Sequence, residues 1–472
     1  MSRPCKMSGL KSPDQLAARL AELGIALPFD ADLETPGPLG APASVGGQLV
    51  GNRFTVLPME GWDGTAGGRP TDLVRRRWTR FGESGAKLVW GGEAYAVEQA
   101  GRANPRQLAR NAETEADLAD LRSCVVEAHR AHVGPTDDLM VGLQLTHSGR
   151  FARPEGAPAP RIAYRHAVLD RRVGIEDDAA VLSDAELDDL IGSFVAVARL
   201  AREAGFQFVD VKACHGYLLH ELLSGRERPG RYGGERLEDR ARFLLDTIGA
   251  IRAEAPELAI GVRLSIFDHR PFAAGGDGIG RPEASHHRPF GASPDGLDVD
   301  LGETHELVDR LAAAGVSLLC TTAGSPYTTP HIQRPAFYPP SDGYGPPEDP
   351  LVGVTRQIDA TRAVKERHPN LFLVGSGYTY LQEWLPHVAQ AIVRTGGVDS
   401  VGLGRMVLSY PDLPRDVIAG RPLRRRAICR TFSDCTTAPR NGLVSGCYPL
   451  DPFYKQREEA AALAEIKKRA RG

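Results

Sequence analysis

The sequence predicts an α/β fold: a (β/α)8 barrel with long insertions after its strands and a C-terminal extension. Eight strand-length apolar runs, at 54–57, 88–90, 139–145, 206–211, 259–264, 317–321, 371–374 and 398–403, carry that prediction. They are near-continuously apolar, as strands of a parallel sheet covered on both faces are. Helical spacing fills gaps between them, at 114–132, 184–204, 237–255, 304–314, 354–367 and 380–395. A third observation is where the irregular segments fall. Stretches rich in Gly, Pro, Tyr and His, at 61–71, 147–175, 267–298 and 323–351, each follow a strand, so they gather on the face where barrels place their chemistry.

The chain divides into three parts. Residues 1–45 hold a short amphipathic helix (13–23) and a Pro/Gly-rich arm, read as a lid or a cap on the bottom of the fold. Residues 46–420 form the barrel. Residues 421–472 are an extension with a basic turn, a cysteine-bearing loop and a charged helix at 455–469. The competing fold, a doubly wound dinucleotide-binding sheet, needs G-x-G-x-x-G between a strand and its helix. The chain has GGDGIG at 275–280, but no helix follows it.

A net charge of −3 leaves no electrostatic footprint for nucleic acid or an acidic membrane surface. No apolar run approaches the roughly 20 residues of a membrane span, and the N-terminus lacks the apolar core of a signal peptide. Seven scattered cysteines, an odd number, suit reduced thiols in a cytoplasm.

The chemistry centres on residues 206–243, FQFVDVKACHGYLLHELLSGRERPGRYGGERLEDRARF. An apolar strand runs into Lys212, Cys214, His215 and Tyr217, then a loop and a helix. A cation, an imidazole and a phenol at one strand end can together act on a substrate oxygen and carbon. Other strand ends supply Pro58-Met59-Glu60, Glu93-Ala94, Gln144, Arg263, Gly375-Ser376-Gly377 and Gly404-Arg405. Glycines with an arginine after the last two strands suit a phosphate, because backbone N–H groups can approach it and a guanidinium can grip it.

Over roughly 45–415 the sequence resembles the old yellow enzyme family of FMN-containing NAD(P)H:flavin oxidoreductases. The resemblance is carried by HGYLLHELLS…RYGGERLEDRARFLL, by NRF…PM at 52–59, LQLTHSGR at 143–150, VRLS at 262–265 and VGLGR at 401–405. It implies FMN across the barrel mouth and NADH or NADPH as reductant. Gln144 would then meet the flavin's pyrimidine edge and Arg263 the N1 side. Pro58, Met59 and Ala94 would touch the ring, and Gly375, Gly377, Gly404 and Arg405 would hold the phosphate. His215 would hold the substrate's activating oxygen and Tyr217 would donate the proton.

The chain departs from the family at two catalytic positions. Lys212 stands where relatives place the first substrate-binding histidine, and Glu60 where they place Thr or Cys. Lysine is a flexible point cation, so it can polarise an oxygen, pair with a substrate anion, or pair with Glu60. The expected activity is hydride transfer between flavin N5 and an activated C=C of a small molecule. The alternatives are oxidation of a saturated or amine substrate with Glu60 as base, and a flavin binder without turnover. The resemblance and the tail are compatible with a homo-oligomer.

Larger family members carry a [4Fe–4S] cluster after the barrel on four cysteines. Here the tail offers Cys429, Cys435 and Cys447, with Phe432 in the second position, and reads as a remnant loop without a cluster. A three-cysteine cluster or a zinc site is the other reading. Loop residues Trp62, Tyr164, His166, Tyr327, His331 and Tyr344 are candidates to line a substrate pocket. Adjacent His286 and His287 are expected to point apart, so no metal is assigned.

Overall fold

The computed structural model describes residues 4–469. The first helix, Pro13–Leu23, begins where Ser12 accepts a hydrogen bond from the Gln15 amide and proline takes the first helical position. A hairpin of β1 (Ala43–Val45) and β2 (Gln48–Val50) follows. The strands after it are β3 (Phe54–Val56), β4 (Leu88–Val89), β5 (Ala94–Ala96), β6 (Met140–Thr146), β7 (Phe208–Ala213) and β8 (Ala259–Ser265). Next come β9 (Phe272–Ala274), β10 (Gly280–Pro282), β11 (Leu318–Thr322), β12 (Phe372–Gly375) and β13 (Ser400–Leu403).

Eight of these, β3, β4, β6, β7, β8, β11, β12 and β13, pair in parallel around a closed circuit, which makes the (β/α)8 barrel. Each overlaps one of the eight apolar runs. The second barrel position is split. β4 pairs with Met140–Val141, and β5 resumes against Gln144–Thr146. Gly91 and Gly92, both at positive φ, turn the chain between them, and a Cβ on Gly91 would lie 2.6 Å from the Gln144 nitrogen.

Inside the barrel, Leu88, Met140, Phe208, Leu318 and Phe372 form a buried apolar cluster together with Val45 and Val50 of the hairpin. These residues start their strands, so the hairpin plugs the N-terminal end. Apolar burial of two valines stabilises the closure by about 2 kcal/mol each. GGDGIG lies in the turn of the β9–β10 hairpin, where Ala274 pairs with Gly280. No helix among the described residues is long and apolar enough to cross a membrane.

The helices depart from the sequence expectation in several places, of which four matter most. A helix at Asp72–Glu83 lies between β3 and β4; it turns Val74, Trp78 and Phe81 inward and is rich in arginine outside. Helix Pro350–Arg367 starts four residues earlier than expected because Asp349 caps the Leu351 amide. The expected helix at 380–395 is a 3-10 turn, Tyr378–Trp384, and then a helix, Leu385–Arg394. Pro386 lacks the N–H that a continuous helix would need there. The C-terminal helix is likewise broken, into Pro452–Lys455 and Glu459–Arg469.

Val50→Asp puts an unpaired charge into the plugged end. It is expected to lower unfolding stability by about 3 kcal/mol or more, read as a fall in the urea midpoint.

Candidate active site at the barrel mouth

A cavity of about 250 Å³ opens at the C-terminal ends of the strands. Its floor is organised by a residue that sequence reading passed over. Asp210 lies mid-strand in β7, fully buried, and collects three donors from neighbouring positions. Trp90 Nε1 donates at 2.7 Å, Gln144 Nε2 at 2.5 Å and the Arg263 backbone N–H at 2.6 Å. Burial pushes its carboxyl up to about 6, with those three hydrogen bonds pulling the other way. An acid inside the apolar run FQFVDV was the available signal.

Gln144 gives its amide N–H to Asp210, and it lines the cavity wall. Arg263 also lines the cavity, and its buried Nε has no hydrogen-bond partner. Pro58, Met59 and Ala94 complete this side. Around the mouth, Arg405 has a buried Nη1 without a partner, while its Nη2 donates to the Pro335 carbonyl. A Cβ built on Gly404 would meet nothing within 4 Å, and Gly377 holds φ +94°. Gly375 is the exception among the expected residues. It belongs to β12 and is not on the cavity wall; a Cβ there would crowd Tyr378 and Val398.

The opposite wall carries the Lys212, His215 and Tyr217 cluster. Cys214 to Tyr217 form a tight turn, closed by the Tyr217 N–H on the Cys214 carbonyl, with His215 and Gly216 both at positive φ. A histidine held in the left-handed region stores local strain, and the turn aims its ring into the cavity. His215 Nε2 meets Thr322 Oγ1 at 3.2 Å and Gln333 Nε2 at 3.4 Å. Burial, then the charges of Arg263 and Lys212, hold this imidazole well below the ordinary range, so it is neutral.

Glu60 is the hub of the wall. Its Oε1 pairs with Lys212 Nζ at 2.9 Å, and its Oε2 accepts from Trp62 Nε1 at 3.0 Å and from the Tyr217 hydroxyl at 3.2 Å. Lys212 also stands 3.9 Å above the centre of the Tyr217 ring. The Tyr217 and Tyr327 hydroxyls are 3.2 Å apart. Burial and the Glu60 charge raise the Tyr217 phenol well above its usual value, so it holds its proton. The lysine ammonium is thus committed to Glu60 rather than directed at the open cavity.

The loop candidates separate. Trp62 and Tyr327 line the main cavity. Tyr164 and His166 line a second one of about 60 Å³. His331 and Tyr344 bond each other at 2.7 Å outside both.

Sequence reading missed the part played by the extension. Cys435, Thr436 and Arg440 lie on the main cavity wall, and Tyr454 reaches it from beyond the helix Asp72–Glu83. Arg334 stands with Arg405 and Arg440; burial and those two cations push it down to about 9. Phe432 stacks on Tyr338, and burial together with Cys429 and Cys435 raises the Cys447 thiol. His286 and His287 do not diverge: their ring centres are 4.2 Å apart and both face Glu227.

Residues 38–277, just over half of the chain, match the model of the NADH:flavin oxidoreductase / NADH oxidase family. The chain belongs to this family. The match takes in Glu60, Gln144, the 212–217 cluster and Arg263, and ends before Gly375–Arg405. An NADPH dehydrogenase from a Geobacillus strain is 30% identical over 241 residues, 49% of this chain and 64% of that protein. A putative 12-oxophytodienoate reductase 4 from Oryza sativa is 36% identical over 132 residues, 26% of this chain and 34% of that protein. The chain thus spans less than two thirds of the length of either relative.

Among solved structures, a 2-naphthoyl-CoA reductase complex aligns over 89% of this chain and 58% of its own, with a TM-score of 0.66 and 19% identity. Morphinone reductase aligns over 83% and 92%, with a TM-score of 0.56 and 21% identity. At such identities the likeness concerns the fold, and there it agrees with the closed eight-stranded barrel.

The Asp210 carboxyl is expected to imprint a pH dependence on stability. A carboxyl raised from 3.8 to about 6 stabilises the folded state fully below its unfolded value, and that contribution is lost as pH rises through about 6. The full span corresponds to about 3 kcal/mol. Asp210→Asn should remove about that share of the fall in a urea-midpoint profile between pH 4 and 7, while Glu93 and Asp268, which burial raises to about 7, keep their own larger part of it.

Proposed function

We propose that the chain is an FMN-dependent oxidoreductase that moves a hydride between flavin N5 and an activated C=C of a small molecule, with NADH or NADPH as reductant. The observation that carries this reading is the division of the cavity. One side holds unpartnered donors, Arg263 Nε and Arg405 Nη1, beside a glycine cradle; the other holds a neutral imidazole and a protonated phenol. Buried cationic donors without acceptors suit an anionic cofactor carrying a phosphate. Its ring would rest on Pro58, Met59 and Ala94, with the Gln144 carbonyl able to accept from a ring N–H. Gly377, Gly404 and Arg405 would hold the phosphate, with Gly375 shaping the strand end behind them. Bound FMN supplies the hydride chemistry at N5.

The chain's own part is proton handling. His215, neutral and turned into the cavity, can donate to a substrate oxygen without carrying a charge. Tyr217 keeps its proton until a carbanion-like carbon needs it. Lys212 then acts through position: its ammonium, 3.9 Å above the ring, neutralises the phenolate left behind. Glu60 fixes both groups and is a positioning residue in this direction. The barrel at 46–420 carries the site, the hairpin Ala43–Val50 that joins it to the N-terminal arm closes its base, and residues Cys435 to Tyr454 of the extension complete the cavity wall. Seven unpaired cysteines support a cytoplasmic setting.

The Tyr217 hydroxyl donating to Glu60 favours a second reading. In the oxidative direction the same contact lets Tyr217 take a substrate proton and Glu60 receive it. Visible spectra recorded anaerobically discriminate. Flavin absorbance bleached by NADH or NADPH supports the reductase, and bleaching only by a saturated or amine substrate supports the oxidative enzyme. A folded protein that stays colourless after FMN is supplied overturns both.

Two variants test the assignments. Tyr217→Phe should slow alkene-dependent reoxidation by about a hundredfold or more while nucleotide-driven bleaching persists, read by stopped flow. Arg405→Met should weaken FMN retention roughly tenfold to a hundredfold, the worth of a lost charge-assisted hydrogen bond, read by flavin fluorescence on dilution.

A further inference from the structure

Outside the main cavity, two loops bring together three metal-ligating groups that the proposed chemistry does not use. Glu227 lies in the loop between β7 and the helix Leu237–Glu254, and His286 and His287 follow the β9–β10 hairpin. His286 Nε2 is 3.6 Å from Glu227 Oε1, and His287 Nδ1 is 3.7 Å from Glu227 Oε2. All three ligand atoms fall within 4.8 Å of one another, and among the described residues this is the one trio of His, Cys, Asp or Glu that does so.

These separations are too long for hydrogen bonds and close to what a shared ion would set. Metal–nitrogen and metal–oxygen bonds of about 2.1 Å in a tetrahedron put ligand atoms about 3.4 Å apart; each histidine lies within a few tenths of an ångström of that from its own Glu227 oxygen, and the trio as a whole within 4.8 Å. The carboxylate is otherwise unclaimed, since Glu227 pairs with no Arg or Lys among the described residues, in a chain with 57 of them.

The histidine side is held in place. The His287 side chain is only 9% exposed; its ring stacks on buried His166 at 4.2 Å and lies 5.6 Å from Tyr164. The His286 ring lies tilted against His287, its centre also 4.2 Å away. His287 and Ser224 line the second cavity, so a bond between the two loops would brace its rim.

We infer that Glu227, His286 and His287 form a binding site for a divalent transition-metal ion that ties the β7 loop to the β8 insertion. Two imidazoles and one carboxylate select a borderline ion such as Zn²⁺, Co²⁺ or Ni²⁺ over Mg²⁺ or Ca²⁺, and three protein ligands leave positions for water. The inference does not depend on flavin chemistry.

The test uses the full chain, stripped with chelator and titrated with CoCl2 and then ZnCl2, followed by calorimetry, visible absorption and thermal melting. The expected result is one equivalent bound, with Co²⁺ bands of nitrogen and oxygen ligation and a melting temperature raised by metal. Glu227→Gln and His286→Ala change exposed side chains, so the fold persists, checked by circular dichroism. Each should weaken binding tenfold or more and abolish the metal-dependent rise in melting temperature. No binding to the wild type overturns the inference. So does binding unchanged in both variants, or a sulfur-to-cobalt charge-transfer band, which would place the ion at Cys429, Cys435 and Cys447 instead.

Discussion

One buried carboxylate holds the floor of the barrel mouth together. Asp210 lies on β7 and receives donors from the turn after β4, from β6 and from β8, so four consecutive positions around the barrel converge on it. A carboxyl buried at this depth is tolerated only when its oxygens are hydrogen-bonded, and here both are. The same contacts orient Gln144 and fix the backbone beside Arg263. The wall that carries Gln144 and Arg263 therefore inherits its geometry from the sheet rather than from loops, and strands are the more rigid support.

The facing wall depends on a second carboxylate of a different kind. Glu60 is partly exposed to the cavity and gathers an ammonium, an indole N–H and a phenol. A histidine in place of Lys212 would present a directed donor to the cavity. A lysine, with its flexible stem, bends to the acid and leaves His215 as the donor that faces the open space. Lys212 and Glu60 thus hold one another in place across the wall.

Much of this was legible in the sequence. All eight barrel strands were visible as apolar runs because a parallel sheet buried on both faces needs continuous hydrophobicity. The cluster at 212–217 was visible because polar, titratable residues end such a run abruptly. The helix Asp72–Glu83 was not, since its buried side mixes Val74, Trp78 and Phe81 with the ion-paired Arg77 and its other arginines dilute the pattern. Asp210 was passed over because one acid in a strand looks like an interruption until its three donors are brought together by tertiary contact. The convergence of His286 and His287 on Glu227 was equally invisible: neighbouring side chains diverge in regular structure, and only the loop backbone and the stack on His166 turn them the same way.

The extension that closes the cavity has a consequence for how the molecule matures. Asp451 pairs with Arg76 on the helix Asp72–Glu83, and Arg440 reaches over the Tyr327 ring, so the last part of the chain spans back to its first third. A ribosome releases the eight strands well before these partners emerge. The chamber gains this wall only when residues near Tyr454 have docked, so it is completed after the barrel's strands have been made.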